Sequence, residues 1–76
     1  LKIDAKNAET HCLLGNALDA QGRVSKAVEH YERALDIDPK LAQAHNNLGS
    51  ILSARDPATA IRHFEAALQV EPQYVE

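Results

Sequence analysis

The stretch Ala8–Ala20, AETHCLLGNALDA, decides the fold once it is laid over Ala42–Ala54, AQAHNNLGSILSA. At an offset of 34 residues the two share Ala8/Ala42, His11/His45, Leu14/Leu48, Gly15/Gly49, Leu18/Leu52 and Ala20/Ala54. Downstream, Ser25–Pro39 (SKAVEHYERALDIDP) overlies Ala58–Pro72 (ATAIRHFEAALQVEP) at an offset of 33. There Ala27/Ala60, His30/His63, Glu32/Glu65, Ala34/Ala67, Leu35/Leu68 and Pro39/Pro72 are identical, and Tyr31/Phe64 is a near match. Self-similarity at such a period marks stacked supersecondary units, none of which buries its apolar face alone. The offset changes where Gln21-Gly22-Arg23-Val24 faces Arg55-Asp56-Pro57. A change of length belongs in a turn, where the backbone tolerates it.

Each unit reads as two helices. His11, Leu14, Gly15 and Leu18 recur at helical spacing, as do Ala27, Tyr31, Ala34 and Leu35. Asn7 is the expected N-cap of the first helix and Ser25 that of the second. Gly22 ends the first helix by freeing φ, and Asp38-Pro39 ends the second because a residue before proline disfavours the helical region. In the second unit Asp56 caps and Pro57 takes the first helical position, where its missing N–H costs nothing. Short turns force antiparallel neighbours.

The spacing His11-x2-Leu14-Gly15-x2-Leu18, Ala27-x3-Tyr31, Pro39, repeated as His45-x2-Leu48-Gly49-x2-Leu52, Ala60-x3-Phe64, Pro72, resembles the tetratricopeptide repeat. Histidines stand at the first aromatic position of that signature and Leu18 and Leu52 at the second. Two units in register cover nearly the whole chain. The resemblance implies an all-α fold of two stacked helix–turn–helix repeats in a short right-handed superhelical solenoid. Residues 1–7 then read as the end of a preceding repeat, 8–41 as the first repeat, 42–74 as the second, and 75–76 as the start of another. Gly15, Gly49, Ala27 and Ala60 are small where paired helices approach, and Tyr31 and Phe64 fill the space they leave.

Composition narrows the function. Eight Lys/Arg against eleven Asp/Glu give a net charge of −3 over 76 residues. That supplies no basic excess for neutralising nucleic-acid phosphates or for holding an anionic membrane surface. Thirteen alanines favour helix. No apolar run approaches the roughly 20 residues that span a bilayer, so membrane insertion is not expected. Cys12 stands alone, which fits a reducing compartment such as the cytoplasm and allows no intrachain disulfide. The chain opens at Leu1 without methionine and is expected to be a window on a longer array.

Catalytic and metal sites are not expected. The histidines fall at equivalent positions of the two units, which stacking holds roughly 10 Å apart, whereas zinc takes its nitrogens at about 2 Å. Packing roles are expected for His11 and His45, surface or groove roles for His30 and His63. Cys12 adjoins His11 in sequence, but adjacent helical residues do not face each other. No phosphate loop or nucleophile elbow occurs, so neither cofactor nor enzymatic activity is expected.

If His11, Leu14, Gly15 and Leu18 enter the core, a second stripe remains beside them: Glu9, Cys12, Leu13, Asn16 and Asp19 in the first unit, and Gln43, Asn46, Asn47, Ser50 and Ser53 in the second. In the family the chain resembles, first helices line the concave groove that holds peptides. Asn16 and Asn47 are the foremost candidates, because an amide both donates to and accepts from a peptide backbone. The basic residue with which some relatives grip a terminal carboxylate would fall at Cys12, so an acidic tail is not the expected ligand. The expected function is a non-catalytic scaffold for a peptide or protein partner. The alternatives are a substrate-recruiting segment of a larger enzyme, such as a glycosyltransferase, and a module that self-associates through uncapped ends.

Overall fold

A computed structural model describes residues 5–70. Within them run α1 (Ala5–Ala20), α2 (Val24–Ile37), α3 (Ala42–Leu52) and α4 (Pro57–Val70). No strand occurs among the described residues. α1 packs on α2 and α3 on α4, and α2 lies against α3 to join the two hairpins. Of the segments expected to belong to neighbouring repeats, 1–7 and 75–76, residues 5–7 are part of α1 and the others lie outside the described residues, as do 71–74 of the second repeat.

The turns follow the local chemistry. Gly22 takes φ +79°, the left-handed conformation that only glycine adopts without strain, and its N–H bonds to the Asp19 carbonyl at 2.9 Å. α2 stops at Ile37, before Asp38-Pro39, and Asp38 Oδ1 accepts the Lys40 N–H at 3.2 Å. Pro57 is the first residue of α4. Asp56 Oδ1 accepts the Thr59 N–H at 3.3 Å, and Asp56 Oδ2 accepts the Thr59 hydroxyl at 2.7 Å. These bonds, Thr59's first, hold the Asp56 carboxyl below its ordinary range. The turn of the first unit, 21–23, is one residue shorter than that of the second, 53–56. The second unit is nevertheless the shorter overall, because α3 ends at Leu52, two residues before the position equivalent to the end of α1.

Two expected caps are corrected. α1 already begins at Ala5, so Asn7 lies inside its first turn. Arg23 occupies the N-cap of α2 and offers no side-chain bond, so Ser25 is the second helical residue.

The core is built on small side chains against one large ring. Cys12, Ala27, Tyr31, Ala34, Ala44 and Leu48 form a buried cluster that reaches from the first hairpin into the second. A Cβ added at Gly15 would sit 2.6 Å from Tyr31 Cε1, and one added at Gly49 would sit 2.7 Å from Phe64 Cε1. Each ring therefore lies directly on a glycine of the partner helix, as the repeat pattern predicts.

Leu14 departs from the expected core. It is 44% exposed, while its equivalent Leu48 is 2% exposed. α3 has a helix on two sides, α4 and α2, whereas α1 has only α2 and a slight contact with α3 among the described elements. Over residues 7–20 of α1, the buried ones are Ala8, Cys12 and Gly15. They sit at i, i+4 and i+7, one face turned toward α2.

Candidate functional site: an asparagine bridge between the two hairpins

The expected site residues divide by depth. Glu9, Leu13, Asp19, Ser50 and Ser53 are exposed, and Asn16, Gln43, Asn46 and Asn47 are half-buried. Cys12 is fully buried and belongs to the core, so it cannot touch a ligand that stays on the surface. Its periodicity placed it on the stripe; it lies instead in the buried cluster with Ala27, Tyr31 and Ala34 of α2 and Ala44 and Leu48 of α3. Burial chiefly pushes the Cys12 thiol above its ordinary value, which keeps it protonated and unreactive. Ser53 lies just beyond α3, where its hydroxyl donates to the Ser50 carbonyl at 2.9 Å and closes the helix end.

At the centre, two asparagines from different helices meet. Asn47 Nδ2 donates to Asn16 Oδ1 at 2.8 Å, and the Tyr31 hydroxyl donates to the same oxygen at 2.5 Å. Asn47 Nδ2 also approaches Cys12 Sγ at 3.9 Å. Three helices thus contribute to one polar knot: α1 through Asn16, α2 through Tyr31 and α3 through Asn47. Both lone pairs of Asn16 Oδ1 are used, and Asn47 Nδ2 has a partner in each of two directions. Among the described residues, Asn16 Nδ2 and Asn47 Oδ1 have no protein partner. The knot therefore leaves the Asn16 amide nitrogen and the Asn47 amide oxygen outside its own bonds, on two half-buried side chains. Burial pushes the Tyr31 phenol up to about 12, with the Cys12 and Asp19 charges acting in the same sense, so it stays a donor at neutral pH.

The sequence had singled out both asparagines but not their contact. They are not equivalent in the repeat, since Asn16 aligns with Ser50 and Asn47 with Leu13. Only the stagger of α3 against α1 brings them together.

The histidines meet in a way the comparison of equivalent positions did not address: the non-equivalent ones pair within each hairpin, His11 Nδ1 lying 3.1 Å from His30 Nδ1 and His45 Nδ1 2.9 Å from His63 Nδ1. The sequence separations, 19 and 18, differ by the same single residue as the repeat offsets. That equality was the available signal. Among the described residues no group of three or more His, Cys, Asp or Glu side chains could hold a metal ion, and no helix is long and apolar enough to cross a membrane.

The family profile of the TPR repeat matches residues 15–54, more than half of the chain. The chain belongs to the tetratricopeptide-repeat family. It is similar to the human protein O-mannosyl-transferase TMTC1, at 44% identity over 54 residues, which is 71% of this chain and 6% of that protein. A CTR9 homolog of Arabidopsis thaliana is 34% identical over 88% of the chain and 6% of its own length. Cell division cycle protein 27 homolog B of the same plant is 36% identical over 91% of the chain and 9% of its own length. The chain thus spans less than a tenth of each of these relatives. The tetratricopeptide repeat is a non-catalytic helical repeat that generally binds protein partners.

Proposed function

We propose that this chain is a non-catalytic scaffold that holds an extended peptide, or a peptide-like segment of a protein partner, across Asn16 and Asn47. The bridge between them carries the reading. Its inner poles are saturated, and its outer poles offer a donor at Asn16 Nδ2 and an acceptor at Asn47 Oδ1. A peptide group has the complementary pair, a C=O and an N–H, whatever its side chain. Recognition would follow backbone shape more than sequence. Leu13 is exposed beside Asn16 and offers apolar contact to a ligand side chain. Glu9 and Asp19 border the same helix and repel an acidic ligand.

A second reading has the match to an O-mannosyl-transferase behind it. In that reading the repeats belong to a larger glycosyltransferase and recruit its protein substrate, and the peptide-holding role at Asn16 and Asn47 is unchanged. The chemistry would then reside outside these residues.

The test is selection of short linear peptides from a random display library on the immobilised chain, followed by calorimetry of the enriched peptides. Binding that the Asn16→Ala/Asn47→Ala double variant weakens by at least tenfold supports the proposal. Equal binding by both proteins moves the site elsewhere.

A further inference from the structure

The two histidine pairs are unused by the peptide reading, and their geometry is informative. In the second hairpin the ring centres of His45 and His63 are 5.2 Å apart and the Nδ1 atoms 2.9 Å apart. In the first, the corresponding distances for His11 and His30 are 5.3 and 3.1 Å. In each pair the remainder is what two ring radii take up, so the rings meet edge to edge with the nitrogens on the line between the centres. Each Nδ1 lone pair, or its N–H, points straight at the other. A metal ion would need about 4 Å between in-line nitrogens, given zinc–nitrogen bonds of about 2.0–2.1 Å. The gap fits a hydrogen and not an ion.

The hydrogen can be placed in the second pair. His45 Nε2 lies 2.8 Å from the Pro39 carbonyl, which can only accept. His45 therefore carries a hydrogen on Nε2, its neutral ring accepts at Nδ1, and His63 donates from Nδ1. One added proton is accommodated without rearrangement: the N–H···N contact remains, with the charge on either ring. A second is not, because two N–H groups would then face each other across 2.9 Å with like charge on both rings.

We propose that the His45–His63 pair is an acid-sensitive latch between α3 and α4, closed with one shared hydrogen or one extra proton and forced open by the second. Its surroundings reinforce this behaviour. Lys40, in the turn before α3, lines the same hollow as His45 together with Pro39, Ala66 and Gln69. On α2, Glu32 favours charge on His63. Burial and the charge of His45 outweigh it and hold His63 below its ordinary value, in that order of size. The opening would act on the peptide site as well, since α3 carries Asn47 two residues beyond His45.

The sign follows from linkage. A histidine held below its unfolded value makes the folded state bind fewer protons, so stability is full above the unfolded value near 6.5 and is lost as pH falls through the folded one. At about pH 5.5, exclusion of one proton lowers the folding constant by up to about tenfold relative to about pH 7.5.

The experiment is an NMR titration of the histidine ring signals in the 76-residue chain, with urea melts at the two pH values for the wild type and His63→Gln. The proposal requires His45 and His63 to titrate as a coupled pair in two separated steps, and it requires the wild type to lose several-fold more folding constant than His63→Gln on acidification. Independent single-step titration of the two rings would overturn it, as would an equal acid response of the two proteins. If His63→Gln does not fold, the ring titration of the wild type decides alone.

Discussion

Replacing Gly15 by alanine tests the contact on which the first hairpin closes. The new methyl would lie 2.6, 2.8 and 2.9 Å from Tyr31 Cε1, Cδ1 and Cζ. Carbon pairs rest at about 3.5–4.0 Å, so one of the partners must move by roughly 1 Å. Tyr31 has little freedom to do so, being 1% exposed and tied through its hydroxyl to Asn16. α1 and α2 must separate instead, and overpacking of this kind costs about 1–3 kcal/mol. Alanine returns up to about 1 kcal/mol through its better helix propensity, leaving a net loss of about 1–2 kcal/mol. Gly49→Ala meets Phe64 at a similar 2.7 Å, but that ring is only half-buried and has no hydroxyl to anchor it. It can swing aside, so the net change there should be within about 1 kcal/mol. Urea denaturation followed by circular dichroism measures both. In a Tyr31→Leu background the Gly15→Ala change should turn from destabilising to neutral or stabilising. A Gly15→Ala variant as stable as the wild type, or one less affected than Gly49→Ala, would refute the argument.

Three further outcomes are expected. Ala27→Leu should cost roughly 1–3 kcal/mol, because Ala27 is fully buried against α1, while Glu32→Ala on the exposed side should stay within about 0.5 kcal/mol; thermal melts compare them. On the alkaline side, the raised Tyr31 phenol gives stability that is complete below its ordinary value near 10 and lost as pH rises through about 12, and absorbance titration beside circular dichroism should show ionisation and unfolding together. Leu13 and Leu14 on α1 and Ile61 and Leu68 on α4 are exposed apolar side chains, so the 76-residue chain should self-associate as concentration rises, which light scattering reads directly; a monomer at every concentration would count against it.

What the sequence revealed, and what it hid, follows from the range of the interactions. Gly15 under Tyr31 and Gly49 under Phe64 were legible because the same small–large exchange occurs twice in register. The Asp56-Pro57 start of α4 was legible because capping is local chemistry. Cys12 and Leu14 were misplaced because helical periodicity identifies an apolar face without fixing its rotation closely. Leu14 and Leu48 are the same residue in the same motif and differ in burial because α3 is packed between α2 and α4, whereas among the described elements α1 rests almost wholly on α2. The histidine pairs and the Asn16–Asn47 bond depend on the stagger between helices, which no single helix records. Asn7 and Ser25 had the right chemistry for caps, but the helices start elsewhere, Ala5 and Val24 being their first residues.

The most direct measurement follows the side-chain amide signals of Asn16 and Asn47 by NMR while a library-selected peptide is added to the chain. The account predicts that both amides shift with the ligand, that the change saturates with the calorimetric affinity, and that it depends only weakly on salt because the bridge is uncharged. Signals of Lys26 and Glu29, on the exposed side of α2, should stay in place. Tight binding that leaves both asparagine amides unmoved would contradict it.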